Sequence, residues 1–469
     1  MTDNKTCAVL AAALALPCCQ LAAGKTHDRP NVLMIVVDDM GWGDLGCHGS
    51  AIKTPVLDGF FGDAIELGRY YVAPISSPTR AGLLTGRYPN RFCIRKTVLP
   101  PWRKTGLPAS ETTIADVLGQ NGYSNRALVG KWHLGHGDPS YHPMNRGFTH
   151  FYGHLNGMLD YFTHKRDGEL DWHNDYESCY DEGYTTDLIA GEAVRCIKEY
   201  SASDSPFFLY VAFNAPHSPY QAPEEEIFKY ISSERFSTLD DKDRKGVTYM
   251  AMVSRLDRRI GDILAALESS GEYDDTLILF MSDNGGVPGM EPYSTNAPFR
   301  GCKSREWEGG VRASAAIKWN NGFMKGGVKS DQVMGFVDIL PTLSDIIGDV
   351  GLKDRDYDGI SMYPVLSGKV DGIDRVFYLG LGAAVSADRK LILAGKNDAM
   401  GLEEDYFTDI LANPYEKDGC VCDDKDAETR LRETITRYDS VVPMIEELPY
   451  NYGKKGFKAP KEWNIFLNR

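Results

Sequence analysis

Four short segments of this chain place ionisable and metal-ligating residues directly after apolar runs of strand length. Asn31–Val37 is followed by Asp38 and Asp39. Ser124–Val129 is followed by Gly130-Lys131-Trp132-His133-Leu134-Gly135. Phe207–Phe213 leads into Asn214-Ala215-Pro216-His217, and Thr276–Met281 into Ser282-Asp283-Asn284-Gly285-Gly286. In an open parallel sheet, ligands bind outside the carboxyl ends of the strands. If these runs are parallel strands, one sheet edge collects all four segments. A lone Asp after a strand is ordinarily a helix cap or a turn residue, but four such exits in register ask for a chemical reason. Asp38, Asp39, Asp283 and Asn284 offer only hard oxygen ligands, a set suited to Ca²⁺ or Mg²⁺ rather than zinc or copper. Neighbouring carboxylates also repel one another unless a cation lies between them. Lys131, His133, His217 and Lys303 add cationic or titratable groups able to meet an anion.

A fifth segment, Ser76-Ser77-Pro78-Thr79-Arg80 through Leu84-Thr85-Gly86-Arg87, reads as a helix start. Pro78 suits a first helical turn. Ser76 then sits near free backbone N–H groups that favour an anion, with Arg80 one turn on. Taken alone, the same residues describe an ordinary capped helix.

The elements that must position these groups follow from the apolar pattern. The runs named above, with Ala313–Lys318, predict strands. Apolar residues at three- and four-residue steps predict helices over Thr113–Asn121, Thr186–Tyr200, Asp243–Ser270 and Pro341–Ile347. Near-continuous apolar strands alternating with helices indicate an α/β domain, a mostly parallel sheet sandwiched by helices. We expect it to span 28–370. From 371 to 469 the texture changes to a smaller α+β lobe with a tail. Strands are expected at Arg375–Leu381, Arg389–Ala394 and Tyr406–Ile410, and a helix at Ala427–Tyr438. Residues 1–24 read as a signal peptide: Lys5, the apolar run Cys7–Pro17 and small residues Ala22, Ala23 and Gly24. That predicts export, periplasmic or secreted, and the run is too short for a transmembrane segment. Beyond the leader seven cysteines remain, including the close pair Cys420 and Cys422, without zinc spacing and with no deducible pairing. With 66 acidic residues against 51 Lys and Arg, the net charge is −15, which disfavours nucleic acid and anionic membranes. An anionic substrate needs a local positive pocket built against that field.

The Ser76–Arg87 segment resembles the sulfatase signature Cys/Ser-x-Pro-Ser/Thr-Arg followed by Leu-x-Thr-Gly-Arg. Asp38-Asp39-Met-Gly-Trp-Gly-Asp44, Thr54-Pro55, Gly130–Gly135, Ala215–His217 and Ser282–Gly286 extend the resemblance, in order, to type I sulfatases of the alkaline phosphatase superfamily. Arg146–Gly153, Asp160–His164 and Asp181–Asp187 look like the arylsulfatase B, or N-acetylgalactosamine 4-sulfatase, branch. The resemblance implies an alkaline-phosphatase-like fold and hydrolysis of a sulfate ester on a sulfated oligo- or polysaccharide. The implied position is O4 of galactose or N-acetylgalactosamine, in a glycosaminoglycan or carrageenan. It implies that Ser76 is converted to formylglycine by a maturation enzyme, its hydrated form attacking sulfur. Ca²⁺, ahead of Mg²⁺, would be held by Asp38, Asp39, Asp283, Asn284 and the modified Ser76. Arg80 and Lys131 would support formylglycine, His133 its second hydroxyl, His217 the leaving sugar oxygen, and Lys303 the sulfate. His154, Asp160, His164 and Trp307 are candidate sugar contacts, with core packing as the competing role. Most relatives carry Cys where this chain carries Ser76. A serine-type enzyme, a Cys-to-Ser change and a pseudo-enzyme all remain open. So do two other activities: a phosphonate monoester or phosphodiester hydrolase, and a non-catalytic binder of sulfated glycan.

Overall fold

A computed structural model describes residues 29–466, apart from 324, 350, 352, 353, 419–421 and 447. The expected leader and Cys420 therefore lie outside the described residues. Five parallel strands form the centre: β1 (Asn31–Val37), β2 (Asn125–Lys131), β3 (His150–His154), β4 (Phe207–Ala212) and β5 (Thr276–Ser282). Their spatial order is β5-β1-β4-β2-β3, all parallel neighbours. Val37 pairs with Ser282, Val36 with Ala212, and Ala212 with Gly130. This register brings the ends of β1, β2, β4 and β5 to one edge. Short strands extend the sheet on both sides to ten.

Both faces of the sheet are covered, which explains why the strands read as unbroken apolar runs. Along β1, Val32, Met34 and Val36 join one buried cluster, and Leu33, Ile35 and Val37 the other. Helices α1 (Ser76–Thr85), α2 (Ile114–Gln120) and α5 (Ile339–Ile346) cover the first face, and α3 (Thr185–Tyr200) and α4 (Asp241–Ser270) the second. Gly271, at positive φ, closes α4 with its N–H on Leu267 and Glu268, as the left-handed C-cap requires. A four-stranded antiparallel sheet between Phe377 and Asp409 carries helix Lys425–Asp439. Its strands pack on the first face of the main sheet. The architecture is alkaline-phosphatase-like.

Two elements depart from expectation. The strand expected over Ala313–Lys318 spans Ala315–Lys318 and runs antiparallel to β5. Strand β3 has no expected counterpart, because its histidines and Gly153 interrupt the apolar pattern that marks its neighbours. No helix among the described residues is long and apolar enough to cross a membrane. Among the described residues, Cys47, Cys179, Cys196, Cys302 and Cys422 carry free thiols.

Candidate active site

The exits of β1 and β5 lie side by side, so Asp38, Asp39, Asp283 and Asn284 meet in a buried cluster. The N-terminus of α1 points at them. Ser76, its first residue, donates from Oγ toward Asp38 Oδ1 at 3.0 Å and Asn284 Oδ1 at 3.2 Å. Arg80, one turn on and fully buried, binds Asp283 Oδ2 through Nε at 2.9 Å and through its terminal nitrogen at 2.8 Å. Lys131 Nζ, from the end of β2, donates to Asp38 Oδ2 at 2.5 Å. Lys303 Nζ donates to Asp39 Oδ1 at 2.5 Å, and Asn284 Nδ2 reaches the same oxygen at 2.7 Å. His217 places Nε2 3.5 Å from Asp39 Oδ2, with Nδ1 held 2.6 Å from the Ser218 carbonyl.

Three buried carboxylates thus face the buried Arg80 and Lys131 and the part-buried Lys303. Burial raises the Asp38 carboxyl, but Lys131, His217 and Arg80 outweigh it and hold it below its ordinary value. Asp39 is likewise lowered, with Lys303 and His217 overcoming its burial. Asp283 goes the other way: burial and then the Asp38 charge raise it, despite Arg80 alongside. An unrelieved carboxylate repulsion of this kind is what a bound cation removes. Asp38, Asp39 and His217 offer ligand atoms within 4.8 Å of one another. With the Asn284, Ser76 and Asp283 oxygens beside them, the set is dominated by hard donors and fits Ca²⁺ or Mg²⁺.

His133 follows β2 at φ 57°, and Asp39 follows β1 at φ 67°. Left-handed backbone at non-glycine residues is costly and gathers at functional sites. Burial, then the charges of Lys131 and Arg80, push the His133 imidazole well below its usual pKa, so it is neutral. Its Nδ1 is buried with no hydrogen-bond partner in the protein. A Cβ on Gly157 would stand 2.4 Å from that ring, so glycine there is what lets the ring in. Ser76, His133, His217 and Lys303 all line one open cleft of about 370 Å³.

The structure therefore brings together ten of the fourteen expected residues and separates the other four. His154 is fully buried, its Nδ1 2.8 Å from the Asn156 carbonyl and its ring stacked on Trp172. Burial lowers it to about 3. His164 packs against the same Trp172 with ring centroids 4.8 Å apart, and its Nε2 lies 2.9 Å from the Gly183 carbonyl. Trp307 is buried under the Arg300 guanidinium, 4.0 Å from its ring. Asp160 caps its own turn through the N–H groups of Phe162 and Thr163 and accepts from Gln221. None of the four lines the cleft. The cleft instead contains Lys96, Arg166 and Tyr450, which sequence reasoning missed. A dense run of cations, Arg95-Lys96 and Lys165-Arg166, was the only local signal.

An α/β sheet whose edge pairs a hard-cation site with buried cations and a nucleophile position defines the alkaline-phosphatase-like hydrolases. The sulfatase family model matches residues 30–349, and the chain belongs to this family of sulfuric ester hydrolases. Arylsulfatase J of Mus musculus is 34% identical over 347 residues, covering 72% of this chain and 56% of that protein. The chain thus spans little more than half of that relative's length. N-acetylgalactosamine-6-sulfatase of Rattus norvegicus is 34% identical over 383 residues, covering 76% of this chain and 69% of that protein. Among solved structures, Ps i-CgsB in complex with k-i-k-neocarrahexaose aligns with TM-score 0.74 at 28% identity, over 87% of this chain and 91% of that one. The expected arylsulfatase B branch is met only approximately, since one relative's name specifies the 6-sulfate.

Proposed function

We propose that this chain is an exported sulfatase that removes the 4-O-sulfate from a galactose or N-acetylgalactosamine unit of a sulfated glycan, using formylglycine made from Ser76. The observation that carries this is the placement of Ser76 Oγ between Asp38 and Asn284, at the floor of a cleft whose walls present His217 and Lys303. Relatives named for N-acetylgalactosamine and a neighbour solved with a neocarrahexaose support a galactose-type sugar. The two proposed units are the main domain, 28–370, and the lobe from 371.

Ser76 as it stands has one hydroxyl, and expelling sulfate from a sulfated hydroxyl requires a second one on the same carbon. Formylglycine would supply that geminal diol, and Asp38, Asp39, Asp283 and Asn284 would hold a Ca²⁺ whose charge would acidify the attacking hydroxyl and polarise the ester. Arg80 and Lys131 fix the carboxylates around position 76, so that their orientation is set before substrate arrives. His133, neutral and with an unsatisfied Nδ1, would accept the proton of the remaining hydroxyl as sulfate leaves and the aldehyde is restored. His217 Nε2 faces the cleft with Nδ1 anchored on a carbonyl, which suits it to protonate the departing sugar oxygen. Lys303 leaves Asp39 for the sulfate oxygens and offsets the charge developing there.

The test is sulfate release by aldehyde-bearing protein from galactose and N-acetylgalactosamine sulfated at O4 or at O6, with phosphodiesters alongside. Faster release from the 4-sulfates supports the full proposal. Preference for O6 would overturn the position alone, and phosphodiester cleavage without sulfate release would overturn the activity.

A further inference from the structure

The cleft at Ser76 does not end at Arg166 and Tyr450. Its wall residue Pro101 also lines a second, larger cavity of about 680 Å³. Lys96, Arg166 and Lys303 line the first, and Lys104, Lys455 and Lys458 the second. Neither lining contains an Asp or a Glu. The chain has 66 acidic residues among 469, so four or five would fall on a surface of this size by composition alone. Two of the inner cations have carboxylate partners outside the lining: Lys303 pairs with Asp39 at 2.5 Å, and Arg166 Nε lies 3.3 Å from Asp167.

The outer cavity is built by the tail. Arg103 spends its guanidinium on the carbonyls of Leu448 and Pro449, at 3.2 and 2.9 Å. Trp102 Nε1 donates to the Tyr450 carbonyl at 2.7 Å. Trp463, fully buried, donates its indole N–H to the Arg166 carbonyl at 2.8 Å, tying the tail to the inner cleft. These contacts fix the backbone and leave Lys104, Lys455 and Lys458 at the surface. Tyr450 and Tyr452 remain 43% and 60% exposed beside them. The tail lies beyond residue 349, where the family match ends.

We propose that the tail and the 96–104 segment extend the Ser76 cleft into a basic groove for a polymeric glycan, which holds oxyanions on sugars beyond the one that loses sulfate. This rests on the sulfated-glycan reading above and adds to it a length and charge requirement. Arg and Lys spaced along a groove match sulfate or carboxylate repeated along a chain, with Arg166 able to engage either bidentately. The net charge of −15 sets this surface apart from the rest of the molecule and argues for local rather than general polyanion capture.

Equilibrium binding to the full-length serine-bearing chain tests it without turnover. The probes are a monosulfated galactose disaccharide and two hexasaccharides of the same backbone, one with further sulfates and one with uronate carboxylates. The sulfated hexasaccharide should bind at least about tenfold tighter than the disaccharide, since several exposed ion pairs of modest strength act together. Added salt should erode that advantage. A uronate hexasaccharide that binds as tightly assigns the groove to oxyanions in general, and a weaker one assigns it to sulfate. The triple variant Lys104→Ala/Lys455→Ala/Lys458→Ala, all at exposed positions, should bring the hexasaccharide to within about threefold of the disaccharide. Affinity independent of chain length, an advantage that survives the triple variant, or equal affinity for an oligonucleotide of matched charge would overturn the groove. Failure to release sulfate from any substrate would overturn the sulfatase reading and leave this binding result standing.

Discussion

Two buried charge clusters in this protein look alike in composition and differ in construction. At the sheet edge, Asp38, Asp39 and Asp283 face Arg80, Lys131 and Lys303. At the seam with the C-terminal lobe, Lys390 lies 2.8 Å from both Glu308 and Glu416, while Tyr71 and Arg312 complete Glu308. The seam cluster is closed: Lys390, Glu308 and Glu416 are all fully buried and no described cleft reaches them. The edge cluster opens on a cleft, sits on left-handed backbone at Asp39 and His133, and keeps the His133 Nδ1 unpaired. Burial and ion pairing alone do not mark a functional site. The mark here is the opening: Glu416 in the closed cluster also has left-handed backbone, at φ 51°, and an Oε1 without a hydrogen-bond partner, so strain and unpaired atoms point to a ligand only where a cleft reaches them.

Substitutions should separate the clusters by what they lose. Ser76→Ala removes the proposed nucleophile position, and on that proposal sulfate release should fall by about 10⁴-fold or more. The fold should persist, because Ser76 caps no backbone group of its helix. His217→Ala should reduce kcat by about 10²–10⁴-fold, with a smaller loss for substrates whose leaving alcohol is acidic, such as aryl sulfates. Rates on aryl and sugar sulfates measure this directly, and equal losses on both would contradict a proton donor. Lys390→Met should instead cost about 3–5 kcal/mol of stability, since it strands two buried carboxylates. Denaturant unfolding should register that loss.

The smallest effect concerns pH at the same seam. Glu306 is buried with Asn397 as its side-chain partner, and burial raises its carboxyl to about 7. A carboxyl raised in the folded state takes up a proton on folding between its unfolded and folded values. Its favourable contribution is therefore full below about 4.5 and is lost as pH rises to about 7. Glu306→Gln should flatten this slope, gaining on the order of 2 kcal/mol at pH 8 relative to pH 4. Unfolding free energies at the two pH values test it, and an unchanged slope would show that Glu306 does not titrate in that window.

Much of the edge cluster was legible in the sequence, because Asp38, Asp39, Lys131, His133, His217, Asp283 and Asn284 follow apolar runs and strand ends fix position in a parallel sheet. Ser76 and Arg80 were legible as a helix start, and Lys303 through the family resemblance alone. The four sugar-contact candidates lie outside the cleft lining, and for these the sequence held no positional cue. His154 and His164 are polar by type, yet pack on Trp172 inside the protein, and no local pattern distinguishes a buried histidine from an exposed one. Strand β3 was hidden by His150, His154 and Gly153, which break its apolar pattern. The basic groove was illegible because it depends on Arg103 reaching carbonyls about 345 residues away, a contact set by packing rather than by spacing.

The central claim is that Ser76 is the seat of a sulfate-transferring aldehyde. It is tested most directly by the mass of the Ser76 peptide in protein from its native producer, taken alongside sulfate release by the same preparation. The account predicts a peptide lighter by two hydrogens and sulfate release that tracks the fraction so modified. An intact serine in a preparation that releases sulfate, or a fully converted residue in one that does not, would contradict it.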